Sequence, residues 1–114
     1  MFKTIVSDDV TIFEMNCKRL DAGNAPSFRE SVKSGLGTPK RLLLDLGMVE
    51  FMDSTGIGAI IFLQREVKVH GGTLHICSPA KAVATILRLM KFSRLVDIFP
   101  TREEALKSLE SPAP

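Results

Sequence analysis

The chain has 114 residues, enough for one domain that buries roughly two thirds of its unfolded surface. Its 45% hydrophobic and 25% charged residues are ordinary for a globular protein, which excludes intrinsic disorder as the default. A net charge of +2 spread along the chain, with neither Trp nor Tyr to stack on bases, argues against direct nucleic-acid binding.

Cys17 and Cys77 form no CxxC motif or Cys/His cluster, so neither a metal site nor a redox pair is expected. The first residues lack a basic start followed by a long apolar stretch, so no signal peptide is expected. The longest nearly apolar run, residues 56–63, is far short of the roughly 18 residues of a membrane span. A cytoplasmic protein without membrane contact is the expectation.

In chain order, residues 2–6 and 10–15 are β-rich runs around the polar turn Ser7-Asp8-Asp9, which predicts an antiparallel hairpin. Residues 21–26 form a loop containing Gly23 and Asn24, and Pro26 suits the first turn of a helix reaching about Ser34. Gly35 and Gly37 end it. Residues 40–46 hold Leu42, Leu43 and Leu44, too short for a typical helix and apolar enough for a strand covered on both faces.

From Ile57 the apolar positions fall at helical spacing through Ile60, Ile61 and Val67, and Gly71 supplies the left-handed residue that closes such a helix. A helix over about residues 54–70 follows, with Asp53 or Ser54 as its N-cap. Then come a strand at 73–77, a helix at 79–90, a strand at 95–99 and a helix at 101–109. Thr101 and Glu104 have the spacing of a capping box. Residues 111–114 are expected to fray, leaving one domain at 1–110. Strands alternating with helices after an opening hairpin define a mixed α/β class.

Ser54 and Thr55 at a helix start are, by residue type alone, caps. His70 and His75 have no partner at metal-ligand spacing and read as structural. A GxSxG elbow is absent around Ser54, which argues against a hydrolase of that type. Gly56-Ile57-Gly58 begins like a dinucleotide fingerprint, but Ile61 stands in place of the third glycine. Gly56 and Gly58 instead permit close approach, either of another part of the chain or of a partner.

Residues 42–60, LLLDLGMVEFMDSTGIGAI, followed by a helix and Gly71-Gly72, closely resemble the signature of bacterial anti-sigma factor antagonists, the stand-alone STAS domains. Arg19-Leu20-Asp21 with Asn24-Ala25-Pro26 resembles the family's loop before its first helix, and Ser78-Pro79 and residues 89–99 resemble its C-terminal half. The resemblance implies a single STAS-type domain with a mainly parallel mixed sheet of about five strands and about four helices.

It also implies that the chain is a substrate and not an enzyme, with no cofactor. Ser54 is the implied phosphoacceptor of an anti-sigma factor that is also a serine kinase of the histidine-kinase-like ATPase fold. The unmodified form would bind that kinase and displace its sigma factor, and a PP2C-type phosphatase would restore the unmodified form. Asp21, Asp53, Ser54, Thr55, Gly56 and Gly58 are the implied partner surface. In it Asp53 orients the hydroxyl or helps position the phosphoryl donor, and Thr55 is a poorer acceptor or a cap. The free protein is expected to be a monomer. The other reading is an unphosphorylated STAS subunit of a lipid-transport or sensory complex. Lys18 and Lys91 stand where the family commonly has glycine, which predicts altered turns there.

Overall fold

The computed structural model describes residues 1–35 and 39–110. Gly37, expected at a helix end, and the tail at 111–114 lie outside the described residues.

Strands β1 (Phe2–Ser7) and β2 (Val10–Met15) form the antiparallel hairpin, with Ser7 opposite Val10. Asp8 makes the tight turn at φ 53°, a left-handed conformation that aspartate adopts more readily than most residues. Helix α1 (Ala25–Gly35) leads to β4 (Arg41–Asp45), and α2 (Ser54–Val69) leads to β6 (Thr73–Cys77). Helix α3 (Lys81–Leu89) and a 3-10 turn at Phe92–Arg94 precede β7 (Asp97–Phe99), and α4 (Arg102–Glu110) closes the described chain.

The main sheet has the order β1-β2-β4-β6-β7, antiparallel only at its first pair. Among the described residues the chain forms the expected five-stranded, mainly parallel sheet with four helices. Leu42, Leu43 and Leu44 are fully buried at its centre. Leu42 and Leu44 join Phe28, Ile60, Leu63 and Leu87 in a large core under α1, α2 and α3. Leu43 joins Ile12, Cys77, Ala105 and Leu109 beneath α4 on the opposite face. Burying each such aliphatic side chain contributes about 1.5–3 kcal/mol, so this double coverage anchors the strand that feeds the site.

Two expected elements start later in the chain. The strand expected from residue 95 starts at Asp97, because Phe92 and Val96 are both drawn into the core and the chain must turn between them. The helix expected from residue 79 starts at Lys81, since Ser78 is left-handed at φ 59° and Ala80 is extended. Lys91 takes φ 55°, so the left-handed turn that suits glycine is kept despite the lysine. Lys18 is not left-handed; its carbonyl accepts the Glu50 and Phe51 amides at 2.7 and 3.2 Å.

A second, two-stranded sheet was not legible in the sequence. Strands β3 (Arg19–Leu20) and β5 (Phe51–Met52) pair in parallel, each too short to carry a periodic pattern. The pair ties the loop before α1 to the segment entering α2, and so assembles the site.

Candidate functional site

Asp53 is extended at φ −106° and ψ −171° and caps α2. Its Oδ1 accepts the amides of Thr55 at 2.9 Å and Gly56 at 3.0 Å, and also the Thr55 hydroxyl. Its Oδ2 accepts the Ala22 amide at 3.3 Å from the loop before α1. These bonds favour the charged carboxylate. The Thr55 hydroxyl first, then the Gly56 amide, hold the Asp53 carboxyl below its ordinary range.

Of the two cap candidates the aspartate therefore serves, and Ser54 is the first residue of the helix. The side chain of Ser54 is exposed, and its hydroxyl makes no hydrogen bond among the described residues. Thr55 is exposed too, but its hydroxyl is held by Asp53.

Asp21 shapes the neighbouring loop. Its Oδ1 accepts the Gly23 amide at 3.0 Å, its Oδ2 accepts Arg19 Nε at 3.1 Å, and its own amide donates to Asn24 Oδ1 at 3.0 Å. Asn24 Nδ2 in turn donates to the Arg19 carbonyl at 2.7 Å. Such local side-chain bonds fix a turn that backbone pairing leaves open. The Arg19 guanidinium lies over the exposed Phe51 ring at 4.2 Å, so the two halves of the small sheet also meet on its outer face.

The two glycines part company. Gly56 is buried, and a Cβ there would stand 2.2 Å from the Leu20 carbonyl oxygen and 2.7 Å from Met52 Cγ. Close approach by β3 accounts for it. Gly58 is half-buried and borders an open groove of about 560 Å³ between the start of α2 and α1. Ser54, Thr55 and Ala22 line the groove together with Pro26 and Arg29 of α1.

Sequence reasoning passed over Arg29, Pro26 and the Ala22 amide. Arg29 looks like any exposed helical arginine, and only the docking of α1 beside α2 brings it to the groove.

The remaining chemistry-bearing groups lie apart from this site. On the α4 face, Arg102 pairs with Asp45 at 2.7 Å and with Glu14. His75 is buried 3.5 Å from Asp97, and burial holds its pKa below the ordinary value against the pull of that carboxylate. Burial pushes the Cys77 thiol up to about 11. No cluster able to hold a metal ion occurs among the described residues, and no helix there is long and apolar enough to cross a membrane.

Comparison with known proteins places these features in a family. A Thermotoga maritima protein named as a putative anti-sigma factor antagonist is 31% identical over 114 residues, 96% of this chain and 97% of the relative. A crystal structure so named from the same organism superposes with a TM-score of 0.87 at 30% identity, covering 96% of this chain and 95% of that one. The phosphorylated form of the Bacillus cell fate determinant SpoIIAA shares the fold alone, with a TM-score of 0.71 at 18% identity, covering 96% of this chain and 100% of that one. The STAS domain model matches residues 1–105, and the chain belongs to the STAS domain family.

Proposed function

We propose that this protein is an anti-sigma factor antagonist that works by partner switching, with Ser54 as its phosphoacceptor. The observation that carries the reading is the contrast between adjacent hydroxyls. Thr55 is engaged by Asp53, whereas Ser54 is exposed and unengaged beside the groove. The names of the Thermotoga relatives support the role, and a protein of this fold is known in phosphorylated form.

In this reading the unmodified chain binds an anti-sigma factor serine kinase in the bacterial cytoplasm and frees the sigma factor. The γ-phosphoryl group of ATP then passes to Ser54 Oγ. An O–P bond forms, the bond to the β-phosphate oxygen breaks, ADP leaves, and the hydroxyl proton goes to a base on the kinase. Hydrolysis by a PP2C-type phosphatase returns the hydroxyl and releases phosphate.

The modification adds about −1.5 to −2 charge at pH 7 next to Asp53, on the first turn of a helix whose dipole favours negative charge. The fold tolerates it while the partner contact loses both shape and charge fit. Moving the complex from 99% bound to 99% free requires about 5.5 kcal/mol of differential affinity. Steric exclusion and charge repulsion in a desolvated contact are of that order together.

The test incubates the protein with ATP and, in turn, each ATPase-type serine kinase encoded in the same genome, following intact mass. Wild type and Thr55→Ala gain one phosphate and Ser54→Ala gains none. Equal uptake by Ser54→Ala, or none by wild type, overturns the reading.

A further inference from the structure

Resting on the phosphoserine reading above, we propose that Arg29 receives the phosphate on Ser54, drawing it into the groove between α1 and α2 so that the modified side chain fills the groove itself. The switch would then act by occupying the partner surface from within, in addition to changing its charge.

Ser54 and Gly58 are four residues apart on α2 and share one face, at a spacing of about 5–6 Å. A Cβ on Gly58 would stand 3.1 Å from Arg29 Nη2, so the guanidinium occupies the notch left by the missing side chain. Ser54 and Arg29 both line the groove, so the hydroxyl and the guanidinium border the same space.

The guanidinium is available. Arg19 pairs with Asp21, and Arg102 with Asp45 and Glu14, but among the described residues Arg29 forms no ion pair. Its other neighbour is the Phe62 ring, 5.4 Å from the guanidinium carbon, which braces the side chain without neutralising it. Among the described residues, Arg29 is the one cationic side chain lining the groove, beside small apolar residues of α1. Asp53 does not compete for it, since that carboxylate is taken by the cap and by Ala22.

A phosphate ester brings three acceptor oxygens, and a guanidinium fork matches two of them in parallel. The bond so formed joins α1 to α2 across the groove. It also gives Gly58 a purpose, because a Cβ there would press on the guanidinium and shift it by a few tenths of an ångström.

The experiment inserts phosphoserine at position 54 during synthesis, so no kinase is needed. The second phosphate ionisation is followed by 31P NMR at low salt in wild type, Arg29→Gln, Arg29→Lys and Gly58→Ala backgrounds. The wild-type pKa should lie about half a unit to one unit below that of Arg29→Gln, with Arg29→Lys and Gly58→Ala between them. Insertion of phosphoserine should also raise Tm in wild type more than in Arg29→Gln. If Arg29→Gln does not fold, Arg29→Lys and Gly58→Ala carry the comparison, because both keep the charge and disturb only its placement. Identical titrations in all the folded forms overturn the proposal. An Arg29-dependent shift in a protein that no kinase modifies would overturn the partner-switch reading and leave the clamp standing.

Discussion

The carbonyl oxygen of Leu20 lies 2.2 Å from the position that a Cβ on Gly56 would take. Backbone cannot yield there as a flexible side chain can, and β3 is held in place by its pairing with β5. Gly56→Ala should therefore destabilise the protein by about 3 kcal/mol, beyond any gain in helix propensity. Urea denaturation of the purified variant checks it; a loss below about 1 kcal/mol would mean that β3 is free to move away.

Asp53 contributes stability in its charged form. Its folded pKa is depressed, so that contribution is fully present above the unfolded value, about 3.9, and is lost as pH falls through the folded value. Asp53→Asn should melt lower than wild type at pH 7. The gap should narrow below pH 4. Calorimetry at pH 7, 5 and 3 reads both features, and a pH-independent gap would contradict them.

His75 works in the same sense with respect to acid, but over a higher pH range. Burial lowers its folded pKa below the unfolded value of about 6.5, so on acidification the unfolded chain takes up the proton first. Stability should decline from about pH 7 downward and level off below the folded pKa. His75→Phe should flatten that slope in denaturation curves collected between pH 7.5 and pH 5.

Arg102 bridges Asp45 and Glu14 from the start of α4, with Asp45 also accepting the Gly47 amide at 2.8 Å. Asp45 is 12% exposed in its side chain and Arg102 is 31% exposed, so solvent screens part of the pair. Arg102→Ala should cost about 1–2 kcal/mol, less than a fully buried pair would. A double-mutant cycle with Asp45→Ala should give a coupling energy of about 1 kcal/mol. Additive losses would show that the two side chains act separately.

Lys91 holds a left-handed backbone that carries a Cβ penalty of about 1–2 kcal/mol, offset in part by the greater freedom of glycine in the unfolded chain. Lys91→Gly should stabilise the protein by about 0.5–1 kcal/mol, measured by chemical denaturation. Equal stability of the two forms would mean that the unfolded-state term cancels the strain.

The hairpin, the leucine strand at the sheet centre and the helix from Ser54 were all legible in the sequence. Each declares itself through a local pattern: β-rich runs about a polar turn, an apolar run of strand length, or apolar residues at helical spacing closed by Gly71. The candidate acceptor was legible for the same reason, because Asp53, Ser54 and Thr55 are neighbours in the chain as well as in space. Their division of labour was not. Whether Asp53 or Ser54 caps the helix depends on which oxygen meets the Thr55 and Gly56 amides, a matter of backbone direction at one residue.

The sequence left Gly56 and Gly58 equivalent, and tertiary structure separated them, since one faces the Leu20 carbonyl and the other the Arg29 guanidinium. Neither contact has a local signature. The β3–β5 pairing joins residues 19–20 to 51–52, and helix docking brings Arg29 to Gly58 across a similar separation. Ser54 was thus marked by its sequence neighbours, while the groove beside it exists only because two distant segments of the chain pack together.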